Sequence, residues 1–322
     1  MNSIENKQNF FERTPVVITG ALICCLLWGS AFPCVKLGYA FTGVASTDTA
    51  SQIMYAGVRF TLAGILAVIA GSFINKKPLY PSRRAIPKVM LLSLFQTILQ
   101  YFFFYIGLAR TSGVKASIIE ATNVFVAVIV AGVIFKLETT TAKKIIGCVV
   151  GFAGVILVNL NGFSIEALKN LFSGLSVMGE GFIFFSTVAY AFSSVILKKF
   201  SKDENPVMMS GYQFIFGGLV MAVFGALFGG KLDIFNTKAM LMLIYLAFVS
   251  AAAYSLWGTL LKYNPVSKVA VFGFMNPVFG VILSAWLLNE ADSIGIMSVI
   301  ALVLVCIGIW IVNGKSKKKD SL

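Results

Sequence analysis

The chain is written twice, and the second writing lies upside down relative to the first. From Met54 it runs MYAGVRFTLAG and from Met208 it runs MMSGYQFIFGG, which keeps the Met, the first Gly, the Phe and the last Gly in register. WGSAFPCVK, ending at Lys36, lies over YAFSSVILK, ending at Lys198, and the stretch from Tyr101 through Asn123 to Glu138 lies over that from Tyr254 through Asn276 to Glu290. Each copy carries five apolar segments of membrane-crossing length, and an odd number of crossings inverts whatever follows. Inverted halves are a recurrent construction of membrane transporters, with the substrate held where the halves meet.

The apolar runs repeatedly exceed about 18 residues, the length that argues a crossing helix. With 58% hydrophobic residues, 12% charged residues and 29 Phe, the chain is more apolar than a soluble domain. Spans are expected over 15–40, 52–74, 85–108, 116–135, 142–160, 176–197, 206–228, 239–261, 269–288 and 293–312. Transmembrane strands would need only about ten residues with strict alternation, which is absent. The expected fold class is therefore all-α integral membrane, ten transmembrane helices as two inverted five-helix repeats. Its segments are a cytoplasmic N-terminal piece (1–14), a first repeat (15–161), an extracellular connector (162–175), a second repeat (176–313) and a basic cytoplasmic tail (314–322). Pro15 and Pro206 suit the first turn of a helix, where a missing N–H costs little.

A net charge of +13 would suggest nucleic acid in a soluble protein, but its distribution says otherwise. With the N-terminus inside, inner segments hold Lys7, Arg13, Lys76, Lys77, Arg83, Arg84, Lys136, Lys143, Lys144, Lys198, Lys199, Lys202, Lys262 and the tail from Lys315. Outer segments hold only Arg110, Lys115, Lys169, Lys231 and Lys238. This positive-inside asymmetry places both termini in the cytoplasm of a multi-pass cell-membrane protein, with Asp48 and Asn161 outside. The Lys-rich tail reads as solvated, with anionic lipid as its alternative contact. No signal-peptide cleavage pattern follows the first apolar run. The five cysteines all fall within spans, without disulfide or metal-ligand spacing, and read as packing residues.

WGSAFPCVKLG in the first span, AGVRFTLAG in the second, the Asn276-Pro277 step in the ninth, and Glu138 and Glu290 closing the fourth and ninth together resemble the EamA-domain branch of the drug/metabolite transporter superfamily. The resemblance covers about 15–312 and rests on the order and doubling of these features and the ten-span count, since no one motif is specific. Asn123-Val124 stands where the second half has Asn276-Pro277, a departure that breaks the symmetry of a proline kink. The resemblance implies a basket of two pseudosymmetric five-helix bundles, a central cavity, alternating access and usually export of small metabolites. It leaves the substrate open.

Within the spans, Pro33 and Pro277 each free a carbonyl and are candidate hinges, or else packing kinks. Gly147, Gly151 and Gly154 form a small-residue face suited to close helix approach, within the chain or in a homodimer. Gln96, Gln100, Tyr101 and Tyr105 gather polar groups on one broad helical face, answered in the eighth span by Ser250, Tyr254, Ser255, Trp257 and Thr259; Asn276 adds an amide. They read as a substrate-facing wall, or as interhelical hydrogen bonds in a closed bundle. Trp28 fits either wall or packing.

The ionisable residues inside spans are Lys36, Arg59 and Glu120. Such groups tend to face the bundle interior and to pair. Counted from the expected span ends at about 1.5 Å per residue, Arg59 and Glu120 both fall in the outer third, so an Arg59–Glu120 pair is allowed. Lys36 suits snorkelling to headgroups, while Glu138, Glu180 and Glu290 sit at span ends where solvation suffices.

Secondary transport of a small polar or amphipathic metabolite, such as an exported amino acid, is the leading expectation; a coupling proton and a second copy of the chain are candidate partners. Drugs, nucleosides or sugars are the alternatives within the same fold. No P-loop supports a nucleotide-driven pump. An intramembrane enzyme is disfavoured because the chain has no histidine and no clustered carboxylates at ligand spacing, and a non-transporting scaffold because of the polar stripe. No cofactor, metal or nucleic-acid partner is expected.

Overall fold

The computed structural model describes residues 9–45, 47–108, 110–111, 113–160, 166, 169, 173–234, 236–287 and 296–314. Glu290, Asn161, Lys7, most of the connector and the basic tail lie outside the described residues. All regular structure among the described residues is helical. In chain order the helices are α1 (Thr14–Thr42), α2 (Thr49–Ile74), α3 (Ile86–Leu108), α4 (113–134), α5 (Ala142–Leu160), α6 (Val177–Phe200), α7 (Pro206–Leu227), α8 (Thr237–Tyr263), α9 (266–287) and α10 (Ile296–Asn313).

Their ends follow from local chemistry. Pro15 lies in the first turn of α1, which ends at Gly43 in the left-handed conformation (φ 67°). Asp48 caps α2 by accepting from the Ser51 N–H at 3.0 Å, and Asn205 caps α7 by accepting from the Val207 N–H at 2.8 Å.

Four helices are not uniform, α6 among them with a π-helical opening at Val177–Gly181. Leu94–Leu99 of α3 is π-helical, α4 is divided at Thr122, and Val271–Phe274 of α9 is a 3-10 turn. The fourth and ninth helices are thus both interrupted although only the ninth carries a proline. In α4 the Thr122 hydroxyl donates to the Ile119 carbonyl at 2.6 Å, taking up a backbone acceptor at the break. Pro277 falls in the first turn after the 3-10 segment, where its missing N–H is tolerated. Pro33, by contrast, lies within an unbroken α1.

The helix pairing exchanges the two repeats. α1 packs on α8 and α9 as α6 packs on α3 and α4, α2 touches α8 as α7 touches α3, and α2·α7 and α5·α10 pair directly. At the α2/α7 crossing a Cβ added to Gly57 would sit 2.7 Å from the Gly218 carbonyl oxygen, and one on Gly64 only 2.4 Å from that of Gly211. In the internal register Gly57 corresponds to Gly211 and Gly64 to Gly218, so each contact is the other with the repeats swapped, as at a two-fold axis. The α5 glycine face is likewise spent within the chain: Gly147 lies against Gly308, and Gly154 against Ala301.

Six helices, α1, α2, α3, α6, α7 and α8, are long and apolar enough to cross a membrane, with shorter apolar stretches at Ile118–Ile134, Val266–Gly280 and Val299–Asn313. Large side chains such as Ile69, Leu219, Val223 and Phe248 face outward on them, which a water-soluble surface would not sustain. The chain is a multi-pass membrane protein.

Candidate functional site

The middle of the bundle is an aromatic cluster placed on the pseudo-two-fold axis. Phe60 and its repeat mate Phe214 stack with ring centroids 5.0 Å apart and planes at 10°. Tyr101 and its mate Tyr254 share a hydroxyl–hydroxyl hydrogen bond of 3.1 Å. Trp28, midway along α1, meets Tyr254 and Trp257 edge-on, at 5.1 and 5.0 Å. Buried residues of α2, α3, α7 and α8, with Trp28 and Tyr39 of α1 and Tyr190 of α6 packed against them, therefore make one apolar core that carries several hydroxyls.

Arg59 is set into this core. It is 6% exposed and its Nη2 donates to the Ser250 hydroxyl at 2.9 Å. The guanidinium carbon lies 5.1 Å from the Phe60 ring centroid, and the charge is close enough to act electrostatically on Tyr39, Tyr55, Tyr101, Tyr105 and Tyr254. Its Nε is buried with no hydrogen-bond partner. Ser250 is the midpoint of α8 and Arg59 lies ten residues into α2, because that helix starts at Thr49. Along the helices, Arg59 thus lies level with the middle of α8, three residues further into its helix than the apolar run suggested. A charge at bilayer centre costs about 2.5–3.5 kcal/mol on insertion scales.

Several sequence-nominated groups converge here and several do not. Gln100 and Tyr105 are buried here, and the buried Oε1 atoms of Gln96 and Gln100 and the Tyr39 hydroxyl have no hydrogen-bond partner. Orphaned acceptors of this kind are uncommon in protein interiors and mark sites able to bind a further donor. Gln96 falls in the π-helical stretch of α3, a distortion often found at functional positions. Asn276 instead follows the 3-10 turn of α9, its buried Oδ1 also without a partner. Glu120 is half-buried in α4, and no ion pair joins it to Arg59 among the described residues. Tyr39 and Tyr55, in ring contact at 5.2 Å, were not nominated by sequence. Tyr55, one turn before Arg59 on the same helix face, carried the available signal.

The carboxylates at the helix ends behave differently from the expectation of solvation. Glu138, with an 8% exposed side chain, accepts from the Ser267 N–H at 2.9 Å and the Ser267 hydroxyl at 2.7 Å, and pairs with Lys144 at 3.1 Å. It thereby caps the start of α9 from the opposite repeat. Glu180 is also buried, accepting from the Thr111 hydroxyl at 2.6 Å and the Ser176 N–H at 2.8 Å. They deviate for different reasons: Glu138 faces a helix start contributed by the other repeat, which the local sequence does not reveal, whereas Glu180 closes a local capping arrangement with the Ser176 N–H four residues before it and adds the distant Thr111 hydroxyl. Lys36 is exposed, as snorkelling requires. An open hollow of about 560 Å³, lined by Gly132, Lys136 and Thr140 among others, adjoins Glu138 rather than Arg59.

The model of the EamA-like transporter family matches the chain twice, over residues 16–160 and 177–314. Among similar proteins, the "Uncharacterized transporter YvbV" of Bacillus subtilis is 26% identical with 96% of each chain covered. The "Uncharacterized transporter YyaM" of the same organism is 29% identical over 66% of this chain and 68% of its own. A solved structure described only as "Crystal structure of protein" superposes with a TM-score of 0.69 at 16% identity, covering 93% of this chain and 96% of that one, which supports the fold alone.

Proposed function

Because the chain belongs to the EamA-like transporter family, we propose that it is a secondary active transporter that moves a small polar or amphipathic metabolite by alternating access, with the Arg59 core as its binding site. The observation that carries this is the position of that core: buried polar groups from both repeats meet on the pseudo-two-fold axis, where a rocking motion of one repeat against the other leaves a site accessible from either side in turn. The names of the relatives are those of transporters rather than enzymes. In this proposal the ten helices all cross the membrane, the repeats span 15–161 and 176–313, and the basic ends of the helices face the cytoplasm of the cell membrane with both termini. Export of an amino acid is the first specific case to try. Gln96, Gln100, Tyr101, Tyr105, Tyr254 and Trp257 form the wall, Asn276 and Pro277 the pivot of α9, Pro33 that of α1, and Glu120 the candidate for a coupling proton.

The test is purified protein in liposomes, challenged with labelled metabolites in counterflow. Solute should cross unaltered, and Gln100→Leu should slow it by about tenfold or more while the protein still folds, since an apolar side chain suits the bilayer but offers no hydrogen bond. Glu120→Gln should abolish gradient-driven transport and spare counterflow. Failure to move any class of solute would remove the transporter proposal.

A further inference from the structure

The two repeats make the same contact with different chemistry at one position. In the register that pairs Met54 with Met208, Arg59 corresponds to Gln213; in the register that pairs Tyr101 with Tyr254, Ser250 corresponds to Thr97. Arg59 bonds Ser250 at 2.9 Å, and Gln213 accepts from the Thr97 hydroxyl at 2.6 Å. Both residues are buried. A neutral amide therefore suffices to tie the second helix of a repeat to the third helix of the other. The positive charge of Arg59 is surplus to that structural task.

Nor is the charge neutralised by the protein. Among the described residues Arg59 has a neutral hydroxyl and neutral rings around it, no carboxylate in ion-pair range, and a buried Nε that bonds nothing. A buried cation without an anion is costly unless one arrives from outside, and a guanidinium presents a planar fork suited to a carboxylate. Beside it lies the Phe60 ring, from which an apolar aromatic chain runs on through Phe214, Tyr254, Trp28 and Trp257.

Resting on the transporter proposal and narrowing it, we infer that the substrate is a small organic monoanion, a carboxylate with an apolar body, whose charge is met by Arg59 at the pseudo-symmetry axis. A zwitterion such as an amino acid fits less well, because among the described residues no acidic side chain stands beside the guanidinium to receive an ammonium. An inorganic anion such as chloride offers the same charge without the apolar body, and the experiment separates the two.

Purified protein in chloride-free buffer is screened by thermal shift against small carboxylates (benzoate, phenylacetate, butyrate among them), their amides, the matching amines, and chloride. The expected result is that stabilising compounds are carboxylates whose amides are inert. Arg59→Gln, built on Gln213, should fold and bind those carboxylates about tenfold or more weakly, the loss expected for one charge-assisted hydrogen bond. Arg59→Lys should fall between. Stabilisation by amides or amines, retention of carboxylate binding in Arg59→Gln, or the absence of any stabilising carboxylate overturns the inference. Stabilisation by chloride alone overturns it too and assigns the charge to an inorganic counter-ion. If Arg59→Gln does not fold, the carboxylate-over-amide preference of the wild type and the Arg59→Lys response decide. Counterflow of an amine or neutral solute, unchanged in Arg59→Lys, would sink the anion assignment yet keep the transporter, whereas no movement of any solute sinks both.

Discussion

Lys198 and Lys36 are the same residue of the two repeats, and the structure treats them differently. Lys198 donates to the Asn264 carbonyl at 2.7 Å and to that of Lys262 at 3.2 Å, closing the C-terminal end of α8; Lys36 extends from the far end of α1 as an exposed side chain. Around Lys198 the same end of the bundle is stitched across the repeats by Glu138 to Ser267, by Asn264 to the Phe11 carbonyl at 2.8 Å, and by Lys88 to Glu204 at 2.8 Å. At the end near Lys36 the described links across the repeats include no ion pair: the Lys231 N–H donates to the Ser51 hydroxyl at 2.8 Å, which itself donates to Asp48 at 2.6 Å, and the Thr111 hydroxyl donates to Glu180 at 2.6 Å. Sequence symmetry assigns equal positions, but a protein that alternates access must occupy an asymmetric state at any moment. On the transporter proposal, the difference marks the contacts that are exchanged between states: this one is closed at the basic end, and Lys36 would take up the carbonyl-capping role when the other end closes.

Four substitutions probe that contrast. The largest effect is expected from Glu138→Ala, which strands Lys144 and the Ser267 N–H and hydroxyl: about 2–3 kcal/mol lower stability in detergent unfolding. A loss no greater than that of Lys36→Ala would show that the Glu138 link does not hold this state. Lys198→Met should cost about 1 kcal/mol through two unsatisfied carbonyls at a helix C-terminus, and it should raise the labelling of a cysteine at position 264 by a soluble thiol reagent; unchanged labelling would count against a closed end.

Asp48→Ala should cost about 1 kcal/mol as the loss of an N-cap. The hydroxyl and backbone N–H of Ser51 hold the Asp48 carboxyl below the usual carboxylate range, so its contribution is complete above the unfolded value of about 4 and fades as pH falls through the lower folded value. Stability measured from pH 6 to pH 3 should thus fall less steeply in the variant; parallel curves would mean that the cap is already lost in the wild type. The smallest change is expected for Lys36→Ala, under about 0.5 kcal/mol in this state. A clear loss of transport in that variant, without loss of stability, would sharpen the contrast by placing Lys36 in the opposite state.

The sequence by itself determined the repeats and their register, the helical class and the inward placement of polar groups on α3 and α8. Span length, hydropathy and side-chain spacing are local properties, set by one helix and its solvent. It also named Arg59 as exceptional, because a guanidinium inside an apolar run is costly wherever the helix later packs. Only the tertiary structure decided which partner that charge meets. Ser250 lies 191 residues away and Ser267 lies 129 from Glu138, so neither contact has a local pattern. Within a bilayer, apolar burial scarcely discriminates one helix face from another, and close packing and hydrogen bonds select the neighbours. The glycine crossing of α2 on α7 brings the repeats together at one rotation, and that rotation sets Arg59 against the middle of α8 and leaves Glu120 on another helix without its company.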